Sequence, residues 1–384
     1  MKNKIYLDHA ATTPVSGTVL DAMMACLTGC QGNASAVYGT GREARKTVEK
    51  ARRQVAALIG AEAREIIFTS GGSESDNMAV KGTAFAMRDK GKHIITTEIE
   101  HPAVLNSCKW LEKQGFEVTY IHPDKEGRIC PDDIRNAIRE DTILISVMAA
   151  NNEIGTLEPV AEIGRTAKER NILFHTDAVQ AAGAIPINVN EWNADLLSIS
   201  AHKFHGPKGV GALYIRRGSR TEALVHGGEQ ERGLRAGTEN VPGIAGMGQA
   251  AEDASNMLTE NARNMTRLRD RLIREILQTV PESKLNGPER DRLPNNCNIS
   301  FEKIDGEALL LRLDLAGIAA SSGSACTSGS QETSHVLKAI GLTEQQAKGS
   351  LRLTTGTENT DEEIDEAVKT IRNIVEDLRR LYHQ

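Results

Sequence analysis

Between residues 65 and 215, short apolar runs recur at intervals that leave room for a helix between most of them, and this rhythm limits the possible folds more than any other feature. The runs are Glu65 to Thr69 (EIIFT), His93 to Thr97 (HIITT), Glu117 to Ile121 (EVTYI), Thr142 to Met148 (TILISVM) and Ile172 to His175 (ILFH), then Leu196 to Ile199 (LLSI) and Gly211 to Ile215 (GALYI). Their length and β-branched content mark strands. Helical stretches such as Glu74 to Lys90, Ala103 to Gln114 and Pro159 to Arg170 lie between members of the series. A strand, a crossover helix and another strand make a parallel pair, so the reading is an α/β fold with a largely parallel sheet covered on both faces. The last two runs are too close for a crossover, which predicts that one of them runs antiparallel.

From about Val241 the texture changes to a long helical run, Ile244 to Thr279, a short strand near Asn298 to Phe301, and a charged terminal helix, Asp361 to Tyr382. This predicts a second, smaller α+β domain. Acidic residues number 52 against 46 basic ones, well mixed along the chain, for a net charge of −6. No basic face points to nucleic acid and no polybasic arm to a membrane, so the expected partners are small molecules or proteins. The six cysteines, at 26, 30, 108, 130, 297 and 326, form no CxxC pair, and the opening MKNKIYLDHAATTP has no long apolar stretch. The expectation is a cytoplasmic protein with free thiols, in which Cys26 and Cys30 are packing residues.

Five stretches carry possible chemistry. Lys203, in Ser200-Ala201-His202-Lys203-Phe204-His205-Gly206, falls on a tight loop between two strands; it reads as a surface lysine in a turn or as a Schiff-base lysine. Asp177 follows ILFHT at a strand's carboxyl end, where open α/β sheets bind ligands; it reads as a helix cap or as the carboxylate that pyridoxal phosphate needs at its ring nitrogen. Ser70-Gly71-Gly72-Ser73 joins a strand to a helix, a plain turn or a phosphate cradle of backbone N–H groups. His101, just past another strand, reads as a packed residue or as a proton shuttle stacked on a cofactor. Cys326 lies in ASSGSACTSGS, residues 320–330, where every neighbour is small. That is an incidental thiol in a surface loop or a sulfur carrier hinged by glycines, less ordered than Lys203.

Together these stretches resemble the cysteine desulfurases of the NifS/IscS family over nearly the whole chain. The matching motifs are YLDHAATT at 6, SGGSESDN at 70, EHPAVL at 100, NNEIG at 151, HTDAVQAAG at 175, SAHKFHGPKG at 200, QERGLRAGTENV at 230, SSGSACTSG at 321 and LRLT at 351. The resemblance implies a fold-type-I pyridoxal-phosphate transferase with a seven-stranded-type sheet. Residues 14–245 would form the large domain; residues 1–13 and 246–384 would form the small one, with the cysteine loop at about 320–333. It implies a homodimer that removes sulfur from L-cysteine, giving L-alanine and a persulfide on Cys326 for an acceptor or iron–sulfur scaffold protein. No resident metal is implied, although Cys326 would transiently meet a cluster on that scaffold.

By the same resemblance Lys203 would bind the cofactor aldehyde and, once released, take the α-proton. Asp177 would pair with the ring nitrogen, Asn152 and Gln180 would reach the ring hydroxyl, and His101 would stack on the ring. Gly72, Ser73, Ser200 and His202 would hold the phosphate, with Thr238 arriving from the neighbouring subunit. Arg352 would clamp the substrate carboxylate with Asn152 beside it, for which a forked guanidinium suits. The chain departs from the family at Ser73, Ala34, Ala36, Tyr38 and Glu229, where threonine, proline, serine, histidine and glycine are common. Two other readings compete: a related aminotransferase or β-eliminating lyase, which needs Lys203 but not Cys326, and a non-catalytic sulfur-transfer scaffold, which needs neither Lys203 nor Asp177.

Overall fold

The computed structural model describes residues 5–29, 31–322 and 333–382. The strands are β1 (Ile5–Tyr6), β2 (Ile66–Thr69), β3 (His93–Thr97), β4 (Glu117–Ile121), β5 (Thr142–Ser146), β6 (Leu173–Asp177), β7 (Leu196–Ser200), β8 (Gly211–Ile215), β9 (Ser283–Leu285), β10 (Asn296–Phe301), β11 (Ile318–Ala319) and β12 (Ser350–Thr354). Seven of them form the central sheet in the order β2-β8-β7-β6-β5-β3-β4. β8 is antiparallel to both its neighbours, while the other pairs are parallel. The short β7–β8 connection dictates this, because it is taken up by a tight 3₁₀ turn, Ala201–Lys203, and leaves no crossover helix.

β3, β5, β7 and β8 are buried at every residue, which explains why they read as continuous apolar runs rather than alternating ones. β4 ends the sheet and is the least buried, as its opening glutamate suggests. Going from β3 the chain runs outward to β4, then returns to β5 on the other side of β3 and continues to β6 and β7. The strand order reverses between β3 and β5, so a crevice opens outside their carboxyl ends.

The helix expected at Glu74 to Lys90 exists but is irregular: Gly72–Asn77 and Thr83–Met87 flank a π-helical turn at Met78–Gly82. Helix Gly17–Gly29 carries Cys26, whose i,i+4 spacing with Cys30 predicts a helix there, whereas helix Gly39–Leu58 has no counterpart in the sequence reading. Packing is close on the sheet's faces. A Cβ placed on Gly164, in helix Val160–Glu169, would lie 1.9 Å from the Trp192 carbonyl oxygen. Gly164→Ala should therefore displace the helix and destabilise the protein by about 1–3 kcal/mol, read as a lower urea midpoint at unchanged m.

The 39-residue helix Val241–Thr279 joins two cores. Val241, Ile244, Met247, Ala250 and Ala251 pack into the larger core around the sheet. Leu268, Leu272 and Ile276 pack into a second one with Leu351 and Leu353 of β12, Ile364 and Ile371 of the terminal helix Asp361–Tyr382, and Ile5 and Leu7 from the amino-terminal end. The boundary expected at residue 245 thus lies inside an unbroken helix. Val336, Leu337 and Ile340 of the late chain side with the larger core. β9, β10 and β12 make a three-stranded antiparallel sheet, and β1 pairs with β11 in parallel.

Candidate active site

At the carboxyl ends of the strands lies a cavity of about 340 Å³. Its wall is drawn from five strand ends and from the second core: Gly72, Ser73 and Asp76 after β2, His101 after β3, Asn152 after β5, Asp177 and Gln180 at β6, Ser200, His202 and Lys203 at β7, and Ala10, Ala11 and Arg352 opposite. The sequence reading placed ten of these side chains at one site, and the fold brings all ten to one wall.

The turn at Gly71–Gly72 passes tightly under the sheet. Gly71 has φ +153°, and a Cβ on Gly72 would lie 2.8 Å from the Val179 side chain. Backbone N–H groups at the start of the following helix can therefore approach an anion where a side chain would stand in the way. Glu74 braces the turn by accepting from the Ser70 N–H at 2.8 Å and from Arg235 Nε at 2.9 Å. Burial pushes the Glu74 carboxyl up, but the bonds from Arg235 and Ser70 outweigh it and hold the group below its ordinary range. His202 donates to or accepts from Thr12 Oγ1 at 3.2 Å. Burial, then Lys203 and Lys208, lower its pKa to about 4, so it is a neutral hydrogen-bonding group at pH 7.

Lys203 Nζ donates to the carbonyls of Ala10 at 2.5 Å and Ala11 at 2.9 Å. The same Ala10 oxygen accepts from Gln180 Nε2 at 3.0 Å, so one backbone turn positions both side chains. Asp177 is the last residue of β6, and its Oδ1 accepts from the Val179 N–H at 2.9 Å. Burial raises its pKa while His101, the Val179 N–H and Lys203 pull the other way.

Asp76 went unassigned in the sequence. It is buried, its Oδ1 has no hydrogen-bond partner among the described residues, and its carboxylate, that of Asp177 and a His101 nitrogen lie within 4.8 Å of one another. Burial and then the charge of Asp177 push the Asp76 carboxyl well above its ordinary range. Two carboxyls and an imidazole could ligate a metal, but a protonated ring nitrogen meets the same negative site, and Lys203 already supplies a cation beside it.

His101 is both of the things its sequence allowed. It caps helix Pro102–Glu112, with Nδ1 accepting from the Ala103 N–H at 3.1 Å, and it lines the cavity. That bond leaves the proton of the neutral ring on Nε2, and burial lowers its pKa further, with Lys203 and His335 adding to the effect and Asp177 opposing it.

Arg352 stands at the middle of β12, 2% exposed. Its Nη2 donates to Asp8 Oδ1 at 2.9 Å and its Nη1 to the Asn152 carbonyl at 2.9 Å, while Nε has no partner among the described residues. The fork is thus held in place with donor capacity left at the cavity wall. Asp8 lies in the YLDHAATT motif, yet nothing in that motif says its carboxylate faces Arg352, 344 residues away.

Thr238 is exposed and does not line this cavity. Cys326 lies outside the described residues. The departures at Ala34, Ala36, Tyr38 and Glu229 all fall away from the cavity wall, Ala34 being part of the larger core and Tyr38 preceding helix Gly39–Leu58. Ser73, the fifth departure, lines it and keeps a hydroxyl there.

Comparison with known proteins identifies the family. The family model of the class-V aminotransferases matches residues 5–367. A cysteine desulfurase IscS of Methanosarcina thermophila is 55% identical over 98% of this chain and 93% of its own length. One of Dictyoglomus turgidum is 54% identical over 99% and 97%. Among solved structures, a NifS-like protein superposes with a TM-score of 0.92 at 41% identity, covering 97% of this chain and all of that one. A structure described as SspA in complex with cysteine reaches 0.82 at 38% identity, over 93% of this chain and all of that one. The chain therefore belongs to the class-V aminotransferase family, in the cysteine desulfurase branch represented by these IscS and NifS-like relatives.

Proposed function

We propose that this protein is a pyridoxal-phosphate-dependent cysteine desulfurase that converts L-cysteine to L-alanine and keeps the sulfur as a persulfide on Cys326. The observation that carries the reading is one cavity wall holding a lysine amine, a buried carboxyl at a strand end and a preset guanidinium: Lys203, Asp177 and Arg352.

The donor set fits the cofactor. Gly72, Ser73, Ser200 and His202 form a neutral, donor-rich end suited to a phosphate. Asp177 would face the ring nitrogen, Asn152 and Gln180 the ring hydroxyl, and His101 the ring face. Lys203 would bear the aldehyde carbon. When bound, pyridoxal phosphate supplies an electron sink that loosens the α-proton and the bond from Cβ to sulfur.

The chain's own groups do the rest. Arg352, with Asn152 beside it, orients the substrate carboxylate. Lys203 Nζ, displaced by the incoming amine, accepts the α-proton. The Cys326 thiolate forms the sulfur–sulfur bond as the carbon–sulfur bond breaks. Cysteine and an enzyme thiol become alanine and an enzyme persulfide, so atoms and electrons balance with no external oxidant.

A second copy of the chain fits two features. Helix Gly17–Gly29 leaves Leu20, Met24 and Leu27 between 47% and 62% exposed at helical spacing, an apolar face with no partner among the described residues. Thr238 is exposed on a loop where it could reach a neighbour's phosphate site. An iron–sulfur scaffold is the proposed acceptor of the persulfide sulfur, in the cytoplasm; among the described residues no helix is long and apolar enough to cross a membrane.

Purified protein should be yellow and should yield equal amounts of alanine and transferable sulfur from L-cysteine. Cys326→Ser should keep the colour and lower both products by about 100-fold or more, measured by an alanine assay and persulfide trapping. A serine variant that forms alanine and sulfide at the normal rate would put the β-eliminating lyase in the desulfurase's place.

A further inference from the structure

The two ends of the segment bearing Cys326 return to the same few residues. On the entry side, Ser321 pairs with the backbone of Arg352: the Arg352 N–H donates to the Ser321 carbonyl at 2.7 Å, and the Ser321 N–H to the Arg352 carbonyl at 3.2 Å. On the exit side, Ser334 is 5% exposed and caps helix His335–Ala339, its Oγ accepting from the Leu337 N–H at 3.1 Å. The same hydroxyl donates to Glu153 Oε2.

Glu153 has no part in the mechanism above. It is buried in the turn after β5, adjoining Asn152, whose carbonyl accepts from Arg352 Nη1. Its backbone is fixed as well: its N–H donates to Asn151 Oδ1 at 2.9 Å, and its carbonyl accepts from the Asn298 amide at 3.0 Å. Burial lifts its carboxyl to about 7, against the opposing pull of the Ser334 bond and the Arg352 charge. A core carboxyl kept at that cost, with the Ser334 hydroxyl as its side-chain partner among the described residues, calls for an explanation.

We propose that Glu153 is a positioning residue for sulfur transfer: through Ser334 it fixes the root where the Cys326 segment rejoins the larger core, and through its neighbour Asn152 it ties that root to Arg352. Both roots and the carboxylate clamp then form one hydrogen-bonded unit, with Arg352 holding the entry root by its backbone and the Asn152 turn by its side chain. Loading of the clamp by a substrate carboxylate is felt at both ends of the thiol-bearing segment. The inference rests on the desulfurase reading and adds to it a residue that touches neither substrate nor cofactor.

The test separates substrate engagement from sulfur transfer in single-turnover experiments with the cofactor-loaded enzyme and L-cysteine. In Glu153→Ala and Ser334→Ala the substrate-induced absorbance change should keep its amplitude and midpoint within about 2-fold, while the rate of persulfide formation falls by about 10-fold or more. The double variant should be no slower than the slower single one, because both remove the same link. Glu153→Gln, which retains an acceptor oxygen for Ser334, should recover most of the rate. Equal loss in both steps, additive losses, a glutamine variant as slow as the alanine one, or an unchanged Ser334→Ala would each overturn the assignment. Ser334→Ala is a small change, which keeps the test open if Glu153→Ala folds poorly. Wild-type enzyme that forms no alanine from cysteine would instead sink the desulfurase reading.

Discussion

Lys203→Ala is expected to abolish alanine formation, with a loss of about 1,000-fold or more, and to leave a protein that binds pyridoxal phosphate weakly and reversibly. Lys203 sits in the 3₁₀ turn between β7 and the antiparallel β8, so its backbone is fixed at both ends by the sheet. Its Nζ is aimed into the cavity by the Ala10 and Ala11 carbonyls. The variant should still fold, because half-buried Lys203 contributes little to either core. Absorbance after gel filtration and an alanine assay measure the two losses; ordinary alanine production in this variant would be incompatible with the proposed chemistry.

Glu231→Ala should cost about 3–5 kcal/mol of stability while leaving every cavity side chain in place. Arg52, on helix Gly39–Leu58, donates from Nη1 and Nη2 to the two carboxylate oxygens of Glu231 at 2.7 and 2.8 Å, with both side chains at most 5% exposed. Glu231 also accepts from the Phe68 N–H of β2 at 3.0 Å, and the guanidinium carbon lies 4.8 Å from the centre of the Phe68 ring. Removing the carboxylate leaves the buried guanidinium with only the more exposed Glu49, 3.0 Å from its Nε, as counter-ion, and orphans the Phe68 N–H. Both Glu231 (φ +46°) and Arg232 (φ +60°) occupy the left-handed region, and the clamp holds them there. A urea midpoint that falls in Glu231→Ala and largely recovers in the Arg52→Met/Glu231→Ala double variant would identify the under-compensated buried charge as the cause. A midpoint unchanged in the single variant would show that the pair contributes nothing.

The parts of this fold that local chemistry determines were readable in the sequence. Continuous apolar runs gave away the buried strands, and a short connection gave away the reversed β8. Lys203 and Asp177 stood out because a polar residue at the end of an apolar strand needs a reason. Asp76, Asp8 and the Ala10 and Ala11 carbonyls did not, since their roles depend on which distant segment faces them. An aspartate on a helix looks the same whether it meets solvent or another carboxyl. Arg352 was singled out only through the family resemblance; its arginine neighbours in sequence carry no mark that separates them from it. The helix Val241–Thr279 runs from one core into the other without a glycine or proline at the passage, so no breaker marked where the larger core gives way to the smaller.

The pairing of β1 with β11 and the bond from the Ala10 N–H to Thr354 Oγ1, 344 residues apart, also set an order on biosynthesis. A ribosome delivers the amino-terminal strand first, yet its partners are among the last residues made. The central sheet can close as soon as β8 emerges, whereas the second core must wait for β12 and the terminal helix. Until then the carbonyls that aim Lys203 are not fixed in place, so a nascent chain can hold a finished sheet and still lack a working amine.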